Sequence, residues 1–219
     1  MYSLLCTLIV TLLGACSSGS ILSDNFNAPA KTEISNQTST RNRNDYTKAE
    51  GLYSNYDYAF SVSVPQGLVG CRDSPPLPNH GFGISLIEKS CDWMNRTKDD
   101  IYPKAYIYID ASYNSLEWKS FDEAIESNIS YLKNREGISN VKLVQRIPTR
   151  LSRLPASLST IHYKSFGEEM VEDILFAFRN EKSTVIVYTI CLTVPATQYD
   201  EQRKFLVKMQ KTWRLQQIP

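Results

Sequence analysis

The sequence predicts an α+β fold, with a mainly antiparallel sheet and helices packed on its faces. The first observation is residues 184–194, TVIVYTICLTV, where nearly every side chain is apolar or β-branched. A strand of this composition needs cover on both faces, which predicts a central strand. The second observation is that Pro195 ends this strand and that an amphipathic helical pattern follows it. The chain is therefore expected to close with a buried strand and a helix.

The closing helix is expected to begin near Thr197. Asp200 follows Thr197 by three positions, which is the spacing of a helix N-cap and its third helical residue. The apolar stripe of this helix is expected to contain Tyr199, Gln202, Leu206, Met209 and Trp213.

The N-terminus resembles an export signal that ends in a lipidation site. Residues 4–13 form an apolar run of about ten residues, whereas a helix needs about 20 to span a bilayer. Gly14, Ala15 and Cys16 then resemble the lipobox of bacterial lipoproteins, in which a cysteine after small residues is acylated on sulfur. No Lys or Arg precedes the apolar run, which departs from the usual signal. The resemblance implies a signal peptide over 1–15 and palmitate on Cys16; an ordinary signal peptide that contains a cysteine is the alternative.

Residues 16–45 are dominated by Ser, Thr, Asn and charged side chains. So few apolar groups cannot offset the entropy lost on ordering, which predicts a flexible tether with a reach of about 30 Å. Residues 46–219 are expected to form a single globular domain. Ser17 after Cys16 resembles lipoproteins that are sent to the outer membrane. The expected location is the cell envelope, lipid-anchored in the outer membrane and facing the periplasm.

The domain between the tether and the central strand combines strand patterns with one helix. Residues 56–64 alternate apolar and polar side chains up to a proline, which predicts a strand with one buried face. Ser120 and Glu123 form a capping box, and an apolar helical stripe runs from Phe121 toward Gly137. Further strands are predicted at 81–87, 104–110, 141–148, 154–165 and 171–179.

This order of elements resembles the PsbP-like α/β/α sandwich. The likeness covers roughly residues 50–215 and rests on the opening Tyr-x-Tyr-x-Phe-x-Val-x-Val-Pro strand, the helix around 121–134, three late strands, and a terminal helix with Phe205 and Trp213. PsbP-like domains include an extrinsic photosystem II subunit and many bacterial envelope lipoproteins, most of them without enzymatic activity. The resemblance therefore implies a fold more than a function.

The cysteines of the domain predict one disulfide. Cys71 and Cys91 flank a proline-rich loop and a short strand, and export permits oxidation. Cys191 instead falls within the apolar central strand, where buried cysteines are common. We therefore expect a Cys71–Cys91 bridge that stabilises the fold by about 3 kcal/mol. A metal held by Cys71, His80 and Cys91 is the alternative if the bridge is absent.

The sequence contains no recognisable catalytic, cofactor-binding or metal-binding motif. His80 and His162 are the two histidines, and neither has a second ligand type at zinc-like spacing. A nucleophilic pair of Cys191 and His162 across the sheet is an alternative. However, an apolar strand raises the pKa of a thiol instead of activating it.

Two further groups of polar side chains are expected to be structural. One is an acidic cluster expected to be a solvated turn, with a cation site as the alternative; its members are Glu168, Glu169, Glu172 and Asp173. The other is the pair Tyr106 and Tyr108 on one strand face. Exposed tyrosines of this kind stack on sugars or on partner proteins, but a covering helix is expected here.

Balanced charge, two scattered histidines and the lack of an activated nucleophile favour a non-catalytic protein. Lys and Arg number 24 against 23 Asp and Glu, so there is no basic surplus for nucleic acid. We expect a binding or assembly module of the cell envelope, without enzymatic activity and without a cofactor. Its expected partners are the membrane, through the lipid anchor, and envelope proteins or a small ligand. The alternative is an envelope hydrolase with a site around His80 or His162.

Overall fold

The computed structural model describes residues 46–73, 80–96, 102–182 and 184–217. The expected signal peptide, the lipidation site Cys16 and the tether lie outside these residues. Within the described ranges the strands are β1 (Tyr46–Ala49), β2 (Leu52–Asn55), β3 (Phe60–Ser63), β4 (Gly70–Asp73), β5 (Gly81–Ser85), β6 (Tyr106–Tyr113), β7 (Ile138–Leu151), β8 (Leu154–Ser165), β9 (Glu168–Asn180), β10 (Val185–Pro195) and β11 (Arg214–Leu215). The helices are α1 (Trp93–Arg96), α2 (Phe121–Asn134) and α3 (Tyr199–Thr212).

The larger sheet is antiparallel, and β10 lies inside it. Its strand order is β1-β4-β5-β6-β10-β9-β8-β7, so β10 pairs with β6 on one side and β9 on the other. Almost every residue of β10 is buried. The prediction of a central strand over 184–194 is therefore confirmed. A smaller sheet of order β11-β3-β2 accompanies the larger one.

Side chains alternate between the two faces of the larger sheet, and each face belongs to its own apolar cluster. Face 1 carries residues such as Ile109 and Ile190, which cluster with Leu206 and Met209 of α3. Trp213 joins this cluster, with its ring stacked on Phe60 of the smaller sheet at 4.3 Å between centroids. An aromatic pair of this kind adds about 0.5–1.5 kcal/mol beyond its buried area.

Face 2 carries more sulfur and tyrosine. Tyr106, Tyr108 and Cys191 cluster there with Ala124 and Leu132 of α2. Both tyrosines are 4% exposed, so they are covered, as the sequence predicts. Residues on face 1 and face 2 cannot meet across the sheet, and this separation decides which side chains share a site.

The predicted strand over 56–64 is wrong in its first half. Residues 56–59 form a turn, and only β3 remains as a strand. The turn forms because the Asn55 side-chain oxygen accepts a hydrogen bond from the Tyr58 backbone amide at 3.0 Å. Ala59 completes the turn with a positive φ of 51°. The alternating pattern therefore continues through residues that do not pair in a strand.

The predicted N-cap of α2 is confirmed, whereas that of α3 is wrong. Ser120 caps α2, because its hydroxyl accepts a hydrogen bond from the Glu123 amide at 3.2 Å. The Glu123 carboxylate accepts a hydrogen bond from the Lys119 amide, and not from the Ser120 amide as in a capping box. Thr197 is not the N-cap of α3, because a short 3-10 turn over Ala196–Gln198 precedes the helix. The N-cap of α3 is Gln198, which makes no side-chain hydrogen bond.

The outer edge strand β7 carries features that discourage pairing with another chain. It is largely exposed and its register with β8 is irregular between residues 139 and 145. It also contains Pro148, which lacks an amide proton, and the charged residues Lys142, Arg146 and Arg150. Bulges, prolines and charges are the usual protection of an exposed edge. In the part of the chain that the structure describes, we find no helix long and apolar enough to cross a membrane.

Candidate functional site

The predicted cysteine pair is joined in the structure. A disulfide connects Cys71 of β4 to Cys91, just before α1, across a Cα–Cα distance of 5.5 Å. Both sulfurs are used in this bond, so they do not serve as metal ligands together with His80. Across the described ranges we also find no cluster of three or more acidic, histidine or cysteine side chains placed to hold a metal.

Cys191 and His162 do not form a nucleophilic pair. Cys191 is fully buried and belongs to the cluster on face 2. His162 is exposed on β8, next to Ile161, which belongs to the face 2 cluster. Neighbouring residues of a strand point to opposite faces, so the imidazole lies on face 1. The sheet itself therefore separates the Cys191 sulfur from the histidine.

His80 lies directly before β5, among aromatic groups. Its Nδ1 is 2.9 Å from the Ala111 carbonyl oxygen, and its ring lies 5.3 Å from the Tyr58 ring. A carbonyl oxygen can only accept a hydrogen bond, so Nδ1 carries the hydrogen and donates it to Ala111. This is a positioned histidine, but it is positioned by backbone and not by a carboxylate.

Asp110 is the acidic group of the same neighbourhood. Burial raises the pKa of its carboxyl to about 6, while His80 and a hydrogen bond from Ser112 act in the opposite direction. Asp110 pairs with Gly81 across the strands, whereas the His80 carbonyl accepts the Ala111 amide. The two side chains therefore leave adjacent strands on opposite faces, although their charges still interact.

The prediction of a solvated turn for the acidic cluster is wrong for two of its four members. Glu168 and Glu169 lie at the β8–β9 turn, but Glu172 is 1% exposed and Asp173 is fully buried. Glu172 lies on face 2, where its carboxylate accepts hydrogen bonds from Asn128 of α2 at 2.7 Å and from Thr193 at 3.2 Å. Burial raises the pKa of Glu172, and these two hydrogen bonds lower it.

Asp173 lies on face 1 and is bound from three directions. Its carboxylate accepts hydrogen bonds from Thr160 at 2.6 Å, from the Tyr199 hydroxyl at 2.9 Å and from the Arg203 side chain at 3.2 Å. Burial, together with Asp173, raises the pKa of Tyr199 to about 12. Glu172 and Asp173 thus connect β9 to α2 and α3 respectively, and their carboxylates are occupied by structural hydrogen bonds.

The tip of the β8–β9 hairpin carries the most unusual surface side chain of the described chain. Phe166 is 81% exposed and has a positive φ of 48°. The left-handed region costs an ordinary side chain about 1–2 kcal/mol, and turns of this kind favour Asn or Gly. The sequence instead has a large apolar residue at this position, with Gly167 next to it at φ 87°.

The ring of Phe166 rests on the turn between α2 and β7. The Phe166 amide donates to the Gly137 carbonyl at 2.8 Å. A Cβ atom built on Gly137 would lie 2.5 Å from two ring atoms, so a side chain at Gly137 would displace the ring. One side of the ring is therefore supported by backbone, and the other is open to solvent.

Arg135 and two tyrosines continue this surface. The Arg135 guanidinium lies 5.0 Å from the Tyr102 ring centroid and 5.6 Å from that of Tyr131, which are cation–π distances. Arg135 ends α2, two residues before Gly137. We define the hairpin-tip surface as Phe166, Gly137, Arg135, Tyr102 and Tyr131.

Two ion pairs lie beside the hairpin tip. Lys104 and Glu168 are 2.7 Å apart, and Lys164 and Glu169 are 2.9 Å apart. Exposed pairs such as these contribute little to stability, typically about 0–1 kcal/mol. They give the apolar ring a charged and balanced rim. Sequence reasoning missed this surface, although a Phe-Gly step between two strand patterns was a visible signal.

Comparisons with known proteins identify no family for this chain. No protein family model and no curated protein matches it. Among solved structures it is similar to LpqN of Mycobacterium tuberculosis, described as involved in cell envelope biogenesis, with 9% identity and a TM-score of 0.47 over 80% of this chain and 93% of LpqN. It is similar to the Ran-binding protein Mog1p of Saccharomyces cerevisiae, with 14% identity and a TM-score of 0.48 over 77% and 96% of the two chains.

A third likeness is to a cyanobacterial PsbP, CyanoP of Synechocystis. The identity is 10% and the TM-score is 0.46, over 78% of this chain and 92% of CyanoP. The PsbP-like fold expected from the sequence is therefore among the structural likenesses. At this level of similarity the comparisons decide no function.

Proposed function

We propose that this protein is a lipid-anchored lipoprotein of the cell envelope that binds a partner protein through the hairpin-tip surface and catalyses no reaction. The observation that carries the proposal is Phe166, an exposed aromatic side chain in a left-handed backbone conformation. Such a residue destabilises the isolated fold for two reasons, its backbone conformation and its exposed ring. Strained backbone of this kind clusters at functional sites.

The first reason is the backbone. Asn or Gly at position 166 would form the same turn without the strain of about 1–2 kcal/mol. The second reason is the ring, which is 81% exposed and therefore gains almost nothing from burial. A partner that covers the ring would supply this missing burial. The phenylalanine is thus explained by binding and not by folding.

The chemistry around Phe166 fits a protein partner. Aromatic side chains and arginine are enriched at the energetic centres of protein interfaces, and charged groups are found at the rim. Tyr102, Tyr131 and Arg135 supply such a centre, and the Lys104–Glu168 pair supplies part of a rim. The balanced charge of this rim gives no preference for nucleic acid.

The arrangement of layers supports the PsbP-like interpretation of the fold. α2 contributes side chains to the cluster on face 2 and α3 contributes to the cluster on face 1. We infer from this an α/β/α sandwich, with a helix on each face of the larger sheet.

The test of partner binding is Phe166→Asn. Asn is favoured in the left-handed region, so we expect the fold to be stabilised by about 1 kcal/mol in urea unfolding while the ring is lost. Proteins crosslinked to the mature lipoprotein in whole envelopes are then captured and quantified by mass spectrometry. A partner captured with the wild type is expected to fall at least about fivefold with the variant.

The matched control is Ile87→Asn. Ile87 is also an exposed apolar residue, 59% exposed, but it lies after β5 and outside the hairpin-tip surface. It is expected to leave capture unchanged. The same set of captured proteins with all three forms would contradict the proposal.

The lipid anchor is tested separately at Cys16. Cells that produce the protein are given radiolabelled palmitate, and the label is expected on the wild type and not on Cys16→Ser. Label that persists unchanged on Cys16→Ser would reject the anchor. The proposal of partner binding at the hairpin tip would stand in that case.

A hydrolase with a site around His80 is the second candidate. The observation that favours it is the Asp110 carboxyl, whose pKa burial raises to about 6 and whose charge interacts with His80. Groups that titrate near neutral pH serve as general acids and bases. Turnover of a panel of chromogenic esters that is lost in Asp110→Asn and in His80→Ala would support this candidate over the binding module.

A further inference from the structure

An open cleft of about 540 Å³ lies where the loop after β6 meets the end of β9 and the start of β10. Its volume is within the range of about 300–1,000 Å³ that is usual for small-molecule sites. The side chains that matter are two aromatic residues, two amides and two opposite charges: Trp118, Phe178, Asn114, Asn180, Glu117 and Lys119. It is separate from the hairpin-tip surface and from His80.

Trp118 is held in place by a double hydrogen bond. The Asn114 side chain donates to the Trp118 carbonyl at 2.8 Å and accepts from the Trp118 amide at 3.0 Å. Asn114 is itself bound to β10, because its amide donates to the Val185 carbonyl at 2.8 Å. The indole packs edge-on against Phe176 at 5.7 Å and remains half-buried. It is thus a preorganised aromatic surface with part of its area in the cleft.

Glu117 is strained at the same place. It is exposed and has a positive φ of 54°, and its amide donates to the Asn114 carbonyl at 3.1 Å. A glycine would avoid a cost of about 1–2 kcal/mol at this position. Backbone strain in a non-glycine residue is characteristic of binding sites. The strain places a carboxylate at the cleft next to the indole.

We propose that this cleft binds a saccharide. A pyranose ring has an apolar C–H face, which packs on an indole such as that of Trp118, and hydroxyls around its edge that both donate and accept hydrogen bonds. The side chains at the rim of the cleft match those hydroxyls: the Asn180 amide donates and accepts, the Glu117 carboxylate accepts and the Lys119 ammonium donates. The polar rim disfavours a purely apolar ligand. A single lysine beside a carboxylate disfavours a phosphorylated ligand.

The three tryptophans of the chain give a selective readout. Trp93 and Trp213 are fully buried, whereas Trp118 is half-buried and lines the cleft. A ligand in the cleft therefore changes one indole N–H signal in a tryptophan-labelled nitrogen–proton correlation spectrum. The full-length lipoprotein is kept in a detergent without a sugar headgroup, because a glycoside detergent would compete.

The probes are glucose, mannose, N-acetylglucosamine, its trimer and maltose, each titrated to about 10 mM, which detects even weak binding. We expect at least one sugar to move the Trp118 signal with saturation and to leave the other two unchanged. Asn180→Ala and Lys119→Ala are each expected to weaken that binding about fivefold. Both residues are exposed, so the variants are expected to keep the fold.

The matched control is Asn134→Ala, which removes an exposed amide at the end of α2 and is expected to leave sugar binding unchanged. The proposal is overturned if no sugar moves the Trp118 signal, or if all three indole signals move together. It is also overturned if cyclohexanol moves the signal and no sugar does, because the cleft would then be an apolar site. None of these outcomes bears on partner capture by Phe166.

Discussion

The ring of Phe166 lies directly on the backbone of Gly137, so closely that a Cβ atom on Gly137 would be 2.5 Å from it. Gly137 also has a positive φ of 75°. The turn after α2 therefore favours glycine for its backbone conformation, and the ring occupies the space that a side chain would take. The hairpin tip and the α2–β7 turn are consequently built as one surface.

The first prediction is that Gly137→Ala destabilises the fold by about 1–2 kcal/mol, because alanine is strained in the left-handed region. The exposed Phe166 ring is expected to swing aside at little further cost. Gly167→Ala is the matched control, because its φ is 87° and a Cβ there meets nothing within 4 Å, and it is expected to lose a similar amount. Urea unfolding followed by circular dichroism measures both losses. A much larger loss for Gly137→Ala would show that the ring is held against this turn.

Elements with a strong local pattern could be predicted from the sequence. β10 is apolar at almost every position, and α2 begins at a capping serine, so local residues suffice to place both. The turn over residues 56–59 could not be placed in this way. Its alternation looks like a strand, and what decides is the Asn55 side chain that binds the Tyr58 amide.

The polar interior was the least predictable part of the site. Glu172 and Asp173 follow closely after Glu168 and Glu169, so the sequence suggested a solvated turn. Their burial depends on partners far along the chain, Asn128 for Glu172 and Tyr199 for Asp173. Strand alternation then divides the two carboxylates between opposite faces. Such long-range pairing leaves no mark on the local pattern of either segment.

The second prediction concerns the disulfide between Cys71 and Cys91, which are 20 residues apart. Replacing both by alanine is expected to lower the free energy of unfolding by about 3 kcal/mol, because the loop is no longer closed in the unfolded chain. The measurement is the urea midpoint of the double variant against the wild type. An unchanged midpoint would show that the bridge does not constrain the unfolded chain.

The third prediction is a pH dependence that belongs to Asp110. Burial raises its pKa from 3.8 to about 6 in the folded protein, so the protonated carboxyl favours the fold. This contribution is complete below about pH 4 and is lost as the pH rises through about 6. Because the side chain is only half-buried, we expect a loss of about 2 kcal/mol across this window.

Asp110→Asn keeps a neutral side chain at all pH values, so its stability is expected to change less between about pH 4 and pH 7. The control is Asp92→Asn, which changes an exposed carboxylate. Parallel stability curves for the wild type and Asp110→Asn would contradict the assignment.

The fourth prediction is that Asn128→Ala destabilises the protein by about 2–3 kcal/mol at neutral pH, because the buried Glu172 carboxylate loses a 2.7 Å hydrogen bond. The Asn128 bond lowers the pKa of Glu172, so its removal lets burial raise that pKa further. When a carboxyl has a higher pKa in the folded state than in the unfolded state, the protein loses stability as the pH rises. The destabilisation by Asn128→Ala is therefore expected to be larger at about pH 7 than at about pH 4. Urea unfolding at both pH values measures the difference.

The control is Asn134→Ala, an exposed change on the same helix, which is expected to alter stability by less than about 0.5 kcal/mol at either pH. An Asn128→Ala loss that is the same at both pH values would show that the hydrogen bond does not stabilise the charged form of Glu172.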